Sequence, residues 1–215
     1  MINTNQLSSI LRMYASSFSP LKNRNLRIYL GGQAVSLMGT WMQSTAQSWV
    51  VWELTRSESS LGIVVMLNSL PLLLMAPWAG GIADRFNRRM ILLVTQSIAM
   101  LLAFSLALLI QTNLVQIWHI YVFAFILGTI NALDFPAQQA FIGDLSGMGQ
   151  VRQAVTLNIM ALQLARMIGP ALGGFLLKAV GNSISFWING VSFLVVIISL
   201  MFVKSQQAVH KGGSA

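Results

Sequence analysis

Cysteine is absent from this 215-residue chain, and charge is scarce: thirteen lysines and arginines, five acids and two histidines. Without thiols there is no disulfide framework and no thiolate metal site. His119 and His210 stand far apart and give no ligand pair. Charged residues make up 8% of the chain, against roughly 25% in soluble globular domains, so a soluble core is excluded. The formal charge of +8 does not signal nucleic acid, because the basic residues sit in short loops between apolar runs and form no basic face. A His-Glu-x-x-His zinc motif, a glycine-rich phosphate loop ending in Lys-Ser or Lys-Thr, and paired aspartates inside an apolar run are all missing. Zinc hydrolysis, intramembrane aspartyl chemistry and ATP-driven transport by this chain lose their residues with them. No cofactor, no metal and no enzyme activity are expected.

What the chain does have is apolar length, with 55% hydrophobic residues. A bilayer-spanning helix needs about 20 mostly apolar residues. Six segments qualify: Ile28–Val51, Leu61–Ala83, Met90–Gln111, Ile117–Ala140, Ala154–Val180 and Ile184–Val203. The connections are short, which favours antiparallel neighbours in one all-α membrane bundle. Between the second and third runs lies Gly80-Gly81-Ile82-Ala83-Asp84-Arg85-Phe86-Asn87-Arg88-Arg89. Positive charge on a short loop marks the cytoplasmic side. With that loop inside, Arg12, Lys22, Arg24, Arg27, Arg88, Arg89, Arg152, Lys204 and Lys211 fall inside as well, and only Arg56 and Lys178 outside. Both termini are therefore expected in the cytosol. Residues 1–27 form a cytoplasmic segment, read either as a surface helix (Leu7, Ile10, Leu11, Tyr14 and Phe18 recur at helical spacing) or as a disordered tail. Residues 28–204 form the bundle and 205–215 a polar cytoplasmic tail.

The first span carries Gln33, Ser36, Thr40, Gln43, Ser44 and Gln47 at spacings of three or four, hence on one helix face. Amides facing lipid find no partners, so the stripe is read as lining a wet cavity or as bonding neighbouring helices. Pro71 and Pro77 permit a bend in the second span, mobile or static. The third and sixth spans, poor in polar residues, are read as lipid-facing supports. On the fourth, Asn131, Asp134 and Gln138 share a face near its cytoplasmic end, and Arg88 or Arg85 is the expected partner of Asp134; a proton-carrying role is the second reading. Asp144 is read as a solvated loop residue or helix cap. On the fifth, Arg166 stands near mid-helix. A charge at that depth is costly and marks a pathway, so Arg166 is expected to face the bundle interior beside Asn158 and Gln163, either in a cavity or bonded to carbonyls.

Two of these stretches resemble motifs of the major facilitator superfamily. Gly80, Asp84, Arg85, Arg88 and Arg89 match the loop pattern that follows the second helix, with Asn87 where glycine is usual. Asn best tolerates the left-handed turn that glycine would make there. Gly169, Pro170, Gly173 and Gly174 match the fifth-helix motif of proton-coupled exporters, with Ala165 in place of its first glycine. The runs DFPAQQAFIGDL and NIMALQLARMIGPALGG look like the drug and siderophore exporter branch, which includes the enterobactin exporters; Gln138 replaces an arginine expected there.

The resemblance, covering residues 24 to 204, implies one half of a transporter: six helices as two inverted three-helix repeats, with the substrate cavity between two such halves. It implies a small-molecule substrate, a proton gradient as energy source, and Asp84, Arg85, Arg88, Arg89 and Asp134 as a cytoplasmic latch. Gln33, Thr40, Gln43, Gln47, Asn158, Gln163 and Arg166 are the expected cavity residues. No acid is read as lying deep in a span, so the protonatable group is sought in the missing half as well. The partners expected are the bilayer, a substrate and a second six-helix half, supplied by the rest of a longer chain, a separate chain or a second copy. The rival reading is a non-transporting half or a structural homodimer.

Overall fold

The computed structural model describes residues 18–147 and 149–203, except for the side chains of residues 79 and 82–84. The amphipathic N-terminal stretch, the polar tail and the Asp84 side chain thus lie outside the described residues. After a tight turn at Ser19–Lys22 come α1 (Arg24–Thr55), α2 (Glu58–Arg85), α3 (Arg88–Gln111), α4 (Ile117–Ser146), α5 (Val151–Val180) and α6 (Ile184–Phe202). No strand occurs among the described residues. Five of the helices are long and apolar enough to cross a bilayer. The sixth, α1, is 32 residues long and is the one diluted by the glutamine and serine stripe.

Most of the helices overrun the expected spans, and the caps show why. Asn23 accepts hydrogen bonds from the backbone N–H groups of Asn25 and Leu26 (3.0 and 3.4 Å) and donates to the Leu145 carbonyl (2.7 Å). It therefore starts α1 four residues early and ties it to the end of α4. Asn87 accepts from Met90 N–H (3.2 Å) at φ −62°. This corrects the expected left-handed turn: Asn stands in for glycine by capping α3, satisfying one of its orphan donors. The helices run unbroken through Pro71, Pro77, Pro136 and Pro170.

The packing has an internal symmetry. α1 packs on α5 and α6, α4 packs on α2 and α3, and α3 packs on α6. Exchanging α1–α3 for α4–α6 swaps the first four of these contacts in pairs and turns α3 on α6 into itself, as two three-helix repeats require. Close approach of α5 to α1 depends on two glycines. A Cβ at Gly173 would stand 2.7 Å from the Met42 carbonyl oxygen, and one at Gly169 would stand 2.5 Å from the Trp41 Cβ. Gly174, the next residue of the motif, meets no neighbour within 4 Å.

The apolar core is thick at both ends and thin in the middle. At the arginine-rich end Tyr29, Leu92, Phe141, Leu200 and Val203 cluster, with Tyr29 and Phe141 edge to face at 5.0 Å. At the other end Val51, Leu106, Ile110, Ile120 and Phe186 do the same. Between them the buried cluster shrinks to Ala99, Ala103 and Phe193. Small side chains at mid-depth leave room for a hollow.

Candidate functional site

That hollow is a cavity of about 310 Å³ walled by α1, α2, α3, α4 and α6. Its polar lining comes from Thr40, Gln43, Ser44 and Gln47 of α1, Asn68 of α2, Asn131 of α4 and Asn189 of α6; Ala99, Leu102, Phe123 and Phe193 supply much of the apolar part. The stripe on α1 therefore divides. Its outer half, from Thr40 to Gln47, lines the cavity, while Gln33 and Ser36 are buried beneath it.

Asn189 is the residue that sequence reasoning missed. It is 1% exposed, donates to Gln43 Oε1 (2.8 Å) and accepts from Ser192 (3.0 Å) and Thr40 (3.4 Å). A buried amide in a membrane protein must find such partners, and here they orient Gln43 at the cavity wall. The expectation that α6 is a lipid-facing support is thereby corrected. Gly39 makes the contact fit, since a Cβ there would meet Ser192 Oγ at 2.6 Å and Asn189 Oδ1 at 2.7 Å. Asn68 also reaches across, donating to the Ala124 carbonyl (3.4 Å) of α4.

α5 contributes nothing to the cavity. Asn158 is buried but donates to Gln138 Oε1 (3.3 Å), and Gln163 and Arg166 are exposed. Arg166 does not face the bundle interior as expected; its guanidinium stacks over the Trp41 ring, 5.3 Å from the centroid. That cation–π contact offsets part of the charge's desolvation. Trp41 itself borders the cavity, so it stands between Arg166 and the hollow.

The expected latch also separates into parts. Arg88 donates to Asp144 (2.6 Å) and to the Ala140 carbonyl (3.5 Å), and Arg89 donates to the Met201 carbonyl (3.0 Å). Asp144 is therefore an ion-pair partner of Arg88, held on the last turns of α4 rather than in a loop, whereas Asp134 forms no ion pair with Arg88. Arg85 is exposed.

Asp134 lies elsewhere: 9% exposed, accepting from Thr95 and, through both carboxylate oxygens, from Gln96 Nε2 (3.2 Å to each). Because α4 continues to Ser146, Asp134 sits twelve residues from its end, roughly 18 Å at 1.5 Å per residue. An acid does lie deep in a span, contrary to expectation. Thr95 and Gln96 are buried beside it, so α3 is not merely a lipid-facing support either.

A bundle of six helices in two interchangeable triplets, with a polar hollow at mid-depth, defines half of a major facilitator transporter. The chain belongs to the transmembrane secretion effector family, whose model matches residues 15–211. It is 26% identical to the staphyloferrin A transporter of Staphylococcus aureus, over 80% of this chain and 44% of the relative. It is 24% identical to an uncharacterized transporter of the major facilitator type from Bacillus subtilis (89% and 45% covered) and 23% identical to multidrug resistance protein 1 of the same organism (86% and 46%). The chain thus spans just under half the length of the curated relatives it matches. The family and these relatives are transporters, not enzymes.

Proposed function

We propose that this chain is the N-terminal half of a secondary active exporter that moves a small organic compound, drug-like or siderophore-like, out across the plasma (inner) membrane in exchange for protons. The observation that carries the reading is the cavity itself. Its volume of about 310 Å³ sits at the lower edge of the roughly 300–1,000 Å³ usual for small-molecule sites, as fits one wall of a chamber completed by a second six-helix half. Side-chain amides from four helices converge on it, able to donate and accept alike, against an apolar background. Relatives named for siderophore and multidrug transport favour the same substrate classes.

In this reading the arginine-rich end is cytosolic, by the inside bias of positive charge, and both termini lie there. The Arg88–Asp144 pair, with Asp84, Arg85 and Arg89, belongs to a latch that opens and closes against the second half. Arg166 and Gln163, exposed on α5, face that half. The test is flux through the complete transporter in proteoliposomes, with ethidium and a polycarboxylate siderophore as probes and an imposed pH gradient. Gradient-driven flux of either probe, lowered by Gln43→Ala, is the expected result. Absence of gradient dependence for both would reject antiport, and unchanged flux in the variant would reject the cavity.

A further inference from the structure

We infer that Arg166 binds an acidic group, a carboxylate above all, on the compound that occupies the hollow. The inference deepens the exporter reading by giving the compound a sign of charge; it rests on that reading for transport, but not for binding. Arg166 stands fifteen residues after Val151 and fourteen before Val180, roughly 20 Å from either end of α5 at 1.5 Å per residue. Every other described lysine or arginine lies in the first or last turn of a helix or in a connecting turn. A charge at that depth does not face acyl chains, so in the assembled transporter this exposed side of α5 looks onto water or onto the second half.

The local geometry leaves the guanidinium ready for an acceptor. One of its faces lies over the Trp41 ring, which leaves the five N–H donors around its edge clear. Trp41 is itself seated against α5, since its Cβ lies where Gly169 carries no side chain, and so it fixes the position of the charge. Gln163, three residues earlier and exposed, adds an amide on the same helix face. Across from them Trp41, Ser44 and Ser48 follow one face of α1, and all three line the hollow. Ser44 and Ser48 are also exposed. The hollow therefore opens along this face, with Arg166 at its lip.

The sign of the charge follows from the surroundings. None of the described residues lining the hollow is charged, so its amides and hydroxyls suit a neutral body. Among the described residues no carboxylate lies within ion-pair distance of Arg166. Asp134 is enclosed by Thr95 and Gln96, Asp144 pairs with Arg88, and Glu53 and Glu58 stand where α1 ends and α2 begins. A cationic group entering here finds no acid and meets Arg166. A carboxylate finds a planar fork that matches its two oxygens. The ligand class is thus an organic anion whose uncharged body fills the amide-lined hollow while its acid group reaches past Trp41.

Calorimetric binding to the complete transporter in nanodiscs, with no gradient imposed, tests this. The probes are a polycarboxylate siderophore, its fully methylated ester and ethidium. The wild type should bind the acid at least about tenfold more tightly than the ester, as charge-assisted hydrogen bonds command, and more tightly than ethidium. Arg166→Gln should erase the difference between acid and ester. Arg166→Lys, which keeps the charge but loses the fork, should retain part of it and serves as the second variant where Arg166→Gln does not fold. Arg152→Gln, at the start of α5, should retain all of it. An ester bound as tightly as the acid, no binding of either, or a preference for acid that survives Arg166→Gln would each overturn the inference. So would an acid of the second half whose change to its amide restores the stability that Arg166→Gln loses, since Arg166 would then have an internal partner. Flux is scored separately: acid bound through Arg166 but moved by no gradient would sink the exporter reading and leave the site standing.

Discussion

Two aspartates stand ten residues apart on α4 and meet opposite conditions. Asp144 lies at the arginine-rich end, 21% exposed, in an ion pair with Arg88, which is 29% exposed. Asp134 is closed off among neutral side chains. Water screens the first pair, so its worth is small whatever its geometry; the second is shut off from water with no cation beside it among the described residues, so its hydrogen bonds decide how it is held. The lesson is that an acid in this protein is defined by the helix surface opposite it, not by its distance from a basic motif in the sequence.

The sharpest way to break the contrast is Asp134→Leu. Thr95 retains its second bond, to the Leu92 carbonyl (3.1 Å), but the Gln96 amide loses its acceptor. An orphaned buried donor costs about 1–3 kcal/mol, and unfolding in bicelles should report that loss. Asn189→Ala should follow at about 1–2 kcal/mol, because Gln43 is left without its donor, and the same variant should weaken ligand flux by freeing the Gln43 side chain. Asp144→Ala should cost less than about 1 kcal/mol and the cost should shrink in high salt. Combined with Asp134→Leu it should add within about 0.5 kcal/mol, since the two sites share no partner. Arg166→Ala belongs at the same small scale, about 0.5–1 kcal/mol from the lost cation–π contact, with a change in Trp41 fluorescence as its signature. If Asp144→Ala proved costlier than Asp134→Leu, the contrast drawn here would be reversed.

Much of the architecture was legible before any coordinates. Apolar runs of twenty residues and the arginine cluster at 85–89 pointed to six antiparallel helices, while the helix on which Gly169 and Gly173 lie close, α1, came only from the structure. The polar stripe of α1 announced a wet or bonded face through its three- and four-residue spacing. The site was only half legible. Arg166 looked interior because a charge at mid-span ought to hide, yet it is exposed, with the Trp41 ring of the neighbouring helix between it and the hollow. Asn189 and the pair Thr95–Gln96 looked incidental, single polar residues in apolar spans, because their meaning lies in Gln43 and Asp134 on other helices. Asp134 was assigned to Arg88 or Arg85 because the end of α4 was read six residues short, which moved every residue before it toward the surface.

The sequence by itself determined that this chain lives in a bilayer, how many times it folds back, and the family to which it belongs, because hydrophobic length, loop charge and glycine spacing are local properties. Only the tertiary structure decided which acid pairs with which cation, where the cavity opens and which amides hold its walls. Those are matters of contact between helices far apart in the chain: a rotation of one helix by a single residue, about 100°, exchanges a partner for empty space.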